Sequence, residues 1–187
     1  MSAPVIGVLA LQGGFALHAG VLRELGAEPR EIRVPADLEG LHGAVLPGGE
    51  STVMGLGIER EGLAGPLRDL IADGTPVLGT CAGLVMLDRD HLGVMDLTTR
   101  RNAFGRQVRS FEADLDIDGV EGGPLRAVFI RAPWIESHGE GVQVLAEIDG
   151  HVVAARQGNA LAVAFHPELS GDRRLHSRFV DEARARA

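Results

Sequence analysis

An apolar run, Val5–Leu11, ends abruptly at Gln12-Gly13-Gly14. Beyond it Phe15, Leu17, Val21, Leu22 and Leu25 recur near helical spacing and stop at Gly26, which predicts a buried strand followed by an amphipathic helix. Arg30–Val34 reads as a short strand ahead of Pro35. The pattern returns in "GAVLPGGES", where an apolar strand meets a glycine pair. A helical stretch from Ser51 to Asp73 follows, weakened or broken near Gly65-Pro66. "TPVLGT" then leads into Cys81 and a helix from about Ala82 to Asp88.

Strand, glycine-rich turn and helix in alternation are the mark of a mostly parallel α/β sheet with helices on both faces. After Gly93 the period shortens. "RQVRSFEADLDIDG", "PLRAVFIRAPWI" and "VQVLAEIDGHVVAARQGNALAVAFHPE" are strand-rich, and Asp149-Gly150 marks a hairpin. Asp172–Arg186 reads as a charged amphipathic helix. No repeat, low-complexity stretch or linker interrupts the pattern, so one domain over residues 1–187 is expected.

Composition narrows the function classes. Hydrophobic residues make up 45% and charged residues 24%, as in ordinary globular proteins. A net charge of −8 argues against nucleic acid or an anionic membrane as the main partner, despite the basic stretch "TTRRNAFGRQVR". "MSAPVIGVLALQGG" lacks a basic leader and reads as a first strand, and no run approaches the ~20 apolar residues of a membrane span. A single cysteine forms no internal disulfide and no zinc site by itself, which suits a reducing, cytoplasmic setting.

That cysteine sits in "GTCAG", a G-x-C-x-G turn between strand and helix. Such an elbow lifts the central side chain above the sheet, and Cβ atoms at Gly79 and Gly83 would collide with the neighbouring elements. A helix N-terminus behind Cys81 stabilises negative charge on sulfur, and the free N–H of Ala82 can donate to an oxyanion. Most free cysteines are simply buried, and it is the strand, glycines and helix together that raise catalysis to an equal footing here.

Two further elements bear on that choice. "AFHPE" places His166 after an apolar strand as a base. Pro167 should hold the segment extended, so that Glu168, two residues on, faces the same way and orients the imidazole. In "LPGGES", Gly48-Gly49 can offer an N–H to the oxyanion, while Glu50 and Ser51 can contact a polar substrate; Ser51 also suits a helix N-cap.

Taken together these pieces resemble the class I, triad glutamine amidotransferases, a three-layer flavodoxin-like fold. Nearly the whole chain is similar to one branch, the glutaminase subunits of pyridoxal 5'-phosphate synthase, through "IGVLALQGGF", "LPGGESTVM", "GTCAGLVML", "RRNAFGRQVRSFEADL", "VFIRAPWI" and "AFHPE". The resemblance implies that Cys81 attacks the side-chain amide of L-glutamine, with His166 as acid and base and Glu168 orienting it. It implies glutamine contacts at Gly49, Glu50, Ser51, Arg101, Ile130 and Arg131, and an oxyanion hole of Gly48, Gly49 and Ala82.

The resemblance further implies a partner: a (β/α)8 synthase subunit receiving the ammonia, in a complex of twelve glutaminases on a dodecameric core. Gln12 falls in the region that meets it. Docking is expected to activate the glutaminase by reorienting the Gly48-Gly49 peptide. No metal or organic cofactor is implied. One departure is the connection "MLDRDHLG", shorter than its counterpart in the family, which bears on docking geometry more than on chemistry. His18, His42, His91, His138, His151 and His176 show no metal-ligand spacing and read as structural or surface residues. Other readings are a glutaminase for a different ammonia-using synthase, a non-enzymatic flavodoxin-like binding module, and a hydrolase acting on peptides.

Overall fold

In the computed structural model residues 2–105 and 110–187 are described. Arg106 and Arg109 of the basic stretch, and the last two residues of "RNAFGRQ", lie outside them.

The strands that precede the glycine-rich turns form the middle of a nine-stranded sheet. These are β1 (Val5–Leu9), β3 (Gly43–Leu46) and β4 (Val77–Thr80), joined by β11 (Ala160–Val163) and flanked by β2 (Glu28–Ile32). They run parallel in the order β2-β1-β3-β4-β11. Every residue of β3, β4 and β11 is buried, as expected of strands covered on both faces. Antiparallel strands extend the far side: β10 (His151–Gln157), β8 (Trp134–His138) and β5 (Leu97–Arg100), with β9 (Gln143–Ile148) also on β10. β6 (Ser110–Leu115) and β7 (Leu125–Ile130) make a separate hairpin.

Helix α1 (Phe15–Glu24) leads outward from β1 to β2, whereas α2 (Ser51–Arg60) and α3 (Ala64–Ala72) lead from β3 across to β4. Right-handed crossovers in opposite directions put these helices on opposite faces of the sheet. The last helix, α5 (Arg174–Arg184), packs beside α1. Helix α4 (Ala82–Leu87) leaves β4 at the cysteine turn.

The predicted fold class is therefore the observed one, with local differences. The helical stretch after Ser51 breaks earlier than Gly65-Pro66. Gly62 takes φ 67°, its N–H bonds Glu59 O and that of Leu63 bonds Ile58 O, the pair of bonds that ends a helix on a left-handed glycine. Pro66 instead falls in the first turn of α3, where no intrahelical donor is needed. The expected strand at Arg30–Val34 lies at Glu28–Ile32, because β1 is available for pairing along Val5–Leu9. β2 is an edge strand, so Pro29 is tolerated there.

Helix α5 starts at Arg174, two residues past the expected Asp172, whose carboxylate accepts the Arg174 N–H at 3.0 Å. Ser51 is not the N-cap of α2; Glu50 is, accepting from the N–H groups of Thr52 and Val53 at 3.0 and 2.9 Å. Asp149-Gly150 does form the two-residue turn, with both φ values positive, between β9 and β10. β5 falls in a segment that the hydrophobic pattern leaves unassigned. The short connection after α4 is a tight corner in which Asp88 receives the Asp90 N–H, the His91 ring and the Thr99 hydroxyl.

Candidate active site

Adjacent parallel strands deliver the candidate residues to one edge of the sheet. Gln12 follows β1, the Gly48–Ser51 turn follows β3, Cys81 follows β4 and His166 follows β11. Ligands of open α/β sheets bind at these carboxyl ends.

Cys81 has φ 50° and ψ −105°, a conformation costly for any residue with a Cβ. The turn survives because its surroundings leave no alternative. A Cβ on Gly83 would strike the carbonyl of Leu46, and one on Gly79 would lie 2.6 Å from Leu87 Cδ1. β4 and α4 therefore close to contact distance around the cysteine, whose backbone N–H is anchored to Val163 O at 2.9 Å. Ala82 is the first residue of α4, so its N–H has no partner within the helix. The thiol itself is buried and lies 3.9 Å from Ile130 O.

His166 Nδ1 lies 2.7 Å from Glu168 Oε1. The reach differs in origin from the extended segment expected of His-Pro-Glu. Leu169 N–H donates to His166 O, so residues 166–169 form a β-turn with Pro167 in its second position. The turn, not strand alternation, brings Glu168 back to the ring. His166 N–H is also fixed to Val128 O at 2.8 Å, and Phe165 packs edge-on against Phe129 of β7. The β6–β7 hairpin thus braces His166.

Electrostatics favour a charged imidazole. Burial would lower the pKa of His166, but hydrogen bonds with Cys81 and Glu168 and their negative charges outweigh it and raise it to about 10. Burial likewise pushes Glu168 up. The hydrogen bond from His166 and the positive charge on that ring overcome it and leave the carboxyl below the ordinary value. Glu168 also lies against the start of α1, which has no side-chain cap; a Cβ on Gly14 would be 3.5 Å from its Oε1. Negative charge is welcome there.

Cys81 and His166 line a cleft of about 430 Å³, small among ligand sites of roughly 300–1,000 Å³. The other expected substrate residues, Gly49, Glu50, Ser51, Arg101, Ile130 and Arg131, line it too, as does Ala82. Arg101 reaches across to the Ser51 and Thr52 hydroxyls at 3.1 and 2.9 Å. Arg131 and Asn102 share with Cys81 a positive φ, 43° and 48°, so backbone strain collects around the cleft.

Gly48, Glu168 and Gln12 stand behind the cleft wall. A Cβ on Gly48 would fall on the Cε1 of His166. The Gly48 carbonyl is held by Gly14 N–H at 3.1 Å, and across that trans peptide the Gly49 N–H faces the opposite way. Gln12 folds inward: its Oε1 accepts the Glu50 N–H at 2.9 Å and its amide packs under Gly49.

Some members of the site had no signal of their own. Val85, Asn102 and Pro133 complete the lining. Asn102 and Pro133 lie inside "RNAF" and "RAPW", beside residues already singled out, and Val85 is one helical turn from Cys81. His18 and His176, read from the sequence as structural or surface residues, are fully buried and connected to Glu168, as described below. No group of three or more His, Cys, Asp or Glu among the described residues is arranged to hold a metal ion.

A flavodoxin-like sheet with an elbow cysteine at its carboxyl edge is the fold of the class I glutamine amidotransferases. One solved structure titled as a glutamine amidotransferase superimposes with a TM-score of 0.89 at 44% identity, over 95% of this chain and 98% of that one. The chain belongs to the SNO glutamine amidotransferase family, which it matches over residues 8–185. Among curated relatives, the protein of Frankia alni is 53% identical, over 99% of this chain and 98% of its own length. That of Nocardia farcinica is 52% identical, over 98% and 88%. Both bear the name pyridoxal 5'-phosphate synthase subunit PdxT.

Proposed function

We infer that this protein is the glutaminase subunit of a pyridoxal 5'-phosphate synthase, hydrolysing L-glutamine to L-glutamate and ammonia for vitamin B6 synthesis. The observation carrying this reading is the meeting of Cys81 and His166 in one small cleft with Arg101 and Arg131, in a chain similar over nearly its full length to proteins of that name.

Cys81 is the nucleophile. Its sulfur attacks the side-chain amide carbon, and the developing oxyanion is met by the Ala82 N–H and by the Gly48-Gly49 turn. His166, charged in the resting state, gives its proton to the departing nitrogen, which leaves as ammonia. The γ-glutamyl thioester is then attacked by water, whose proton passes to His166, and glutamate departs with the thiolate restored. Glu168 holds the Nδ1–H side of the ring, and so its orientation, throughout. The guanidinium groups of Arg101 and Arg131 suit the α-carboxylate of glutamine, and Glu50 suits its ammonium.

The ammonia passes to a synthase subunit, for which we propose a (β/α)8 fold and a complex of twelve copies of each chain. Gln12, under the Gly49 turn, is well placed to couple docking to the oxyanion hole. We place the reaction in the cytoplasm; no helix among the described residues is long and apolar enough to cross a membrane.

The test is glutamate release from L-glutamine by the purified chain, with and without a purified synthase subunit. Strong stimulation supports both reaction and partner. Absence of turnover in either condition overturns the glutaminase reading.

A further inference from the structure

The carboxylate of Glu168 has two oxygens, and the triad uses one. Oε1 accepts from His166, whereas Oε2 is buried and has no in-line hydrogen-bond donor among the described residues. The Glu168 side chain is 2% exposed, so solvent does not serve that oxygen either. A buried carboxylate oxygen left without a donor costs free energy and lets the carboxylate swing.

The Nε2 of His18 lies within ion-pair distance of that oxygen, at 3.3 Å. His18 lies on α1, which supports the turn after β1, and its ring is wholly buried. Its Nε2 also lies 3.2 Å from the hydroxyl of Thr80, the residue before the nucleophile. On its other side Nδ1 meets the Nε2 of His176, on α5, at 3.0 Å. The proton order along this chain follows from one constraint: an ionised carboxylate only accepts. A bare Nε2 at 3.3 Å from that oxygen would set lone pair against negative charge, so Nε2 carries the hydrogen, Nδ1 accepts, and His176 Nε2–H donates to it. The bare Nδ1 of His176 is left at the end, and it is the ring nitrogen without a partner there. Burial lowers His18 to about 4 and His176 to about 3, so both rings are neutral donors near neutral pH and neither is a counter-ion.

We propose that His18, its tautomer set by His176, is a positioning residue of the triad: its Nε2–H, shared with Thr80, is the second donor that holds Glu168 in line with His166. This deepens the glutaminase reading and rests on it. The arrangement ties the helices of one face of the sheet to the catalytic turn, since α1 supplies His18 and α5 supplies His176. Neither histidine lines the cleft, so they act through the groups that His18 touches, Glu168 and Thr80.

Two polar substitutions separate this role from simple packing. His18→Gln can carry an amide N–H to the position of Nε2, whereas His18→Asn reaches only that of Nδ1. In the complex with the synthase subunit, His18→Asn should lower kcat about tenfold, the worth of one positioning hydrogen bond, with KM for L-glutamine within about twofold. His18→Gln should recover to within about threefold of wild type. In the isolated subunit the low-field proton resonance of His166 Nδ1–H should move in His18→Asn and return in His18→Gln, whether or not glutamine is turned over. A resonance unmoved in both variants overturns the proposal, as does an equal loss of kcat in both. Absence of turnover in wild type defeats the glutaminase reading instead, and the resonance still reports on the His18–Glu168 link.

Discussion

His166 Nδ1 and Glu168 Oε1 are 2.7 Å apart, joined across a β-turn that Pro167 enters. The carboxylate is buried and the ring nearly so, and each holds the other in its charged form. Glu168→Gln keeps the shape but removes the charge that favours imidazolium. It should lower kcat by about 100-fold while leaving KM for glutamine nearly unchanged, a smaller loss than removal of the nucleophile. Steady-state glutamate release decides it; a loss as complete as that of Cys81→Ala would make Glu168 more than an orienting group.

On the proposed route, Cys81→Ala and His166→Ala each remove a partner in bond making. Glutamine turnover should fall at least about 1,000-fold in either, and the double variant should be little worse than the singles. Circular dichroism should show the fold retained, since β4 and α4 are pinned by the glycine contacts, not by the thiol. Turnover within tenfold of wild type in Cys81→Ala would exclude the thioester route.

Gly48 and His166 are in direct contact, and a methyl at Gly48 would occupy the space of Cε1. Gly48→Ala should push the imidazole aside and cost about 10–100-fold in kcat. Gly20→Ala is the control: a Cβ there meets nothing within 4 Å in the interior of α1. It should leave kcat alone and raise stability by about 0.5–1 kcal/mol, seen as a higher Tm. Equal kinetic losses in both would detach the effect from His166.

Arg131, held at φ 43°, lines the cleft, as does Arg101, whose guanidinium donates to the Ser51 and Thr52 hydroxyls. Replacing either by Ala should raise KM for L-glutamine about 10-fold or more, with a smaller effect on kcat, because a carboxylate would lose its partner in the ground state and transition state alike. An unchanged KM in both variants would place the α-carboxylate elsewhere.

Buried neutral His18 and His176 predict acid lability. Their folded values lie below the ordinary 6.5, His18 at about 4 and His176 at about 3. Unfolding then takes up protons at mildly acid pH. The stability they contribute is fully present above 6.5 and is lost as pH falls towards those values. Glu168 moderates both shifts; His166 adds to that of His18, and Arg173 to that of His176. Tm should fall between pH 6.5 and 4, and His176→Phe should flatten the fall; equal slopes in variant and wild type would contradict it.

Much of this was legible along the chain. Turns after parallel strands announce themselves through glycine and apolar runs, because the steric demands are local: Gly83 against Leu46 is dictated by how closely a strand-turn-helix unit must close. The same locality allowed Cys81, His166 and the Gly48-Gly49 turn to be picked out residue by residue. Helix ends were less certain. Gly62 rather than Gly65-Pro66 breaks the helix after β3, since a left-handed glycine satisfies two carbonyls whereas a proline in a first turn offends nothing. His18 and His176 stood apart in the sequence, 158 positions from one another, with no spacing to link them. Only the packing of α1 against α5 puts their rings together and aims one at the back of Glu168. The sequence by itself determined the glycine-bounded turns after β3 and β4; the tertiary structure decided which buried polar groups meet, because that depends on contacts between elements far apart in the chain.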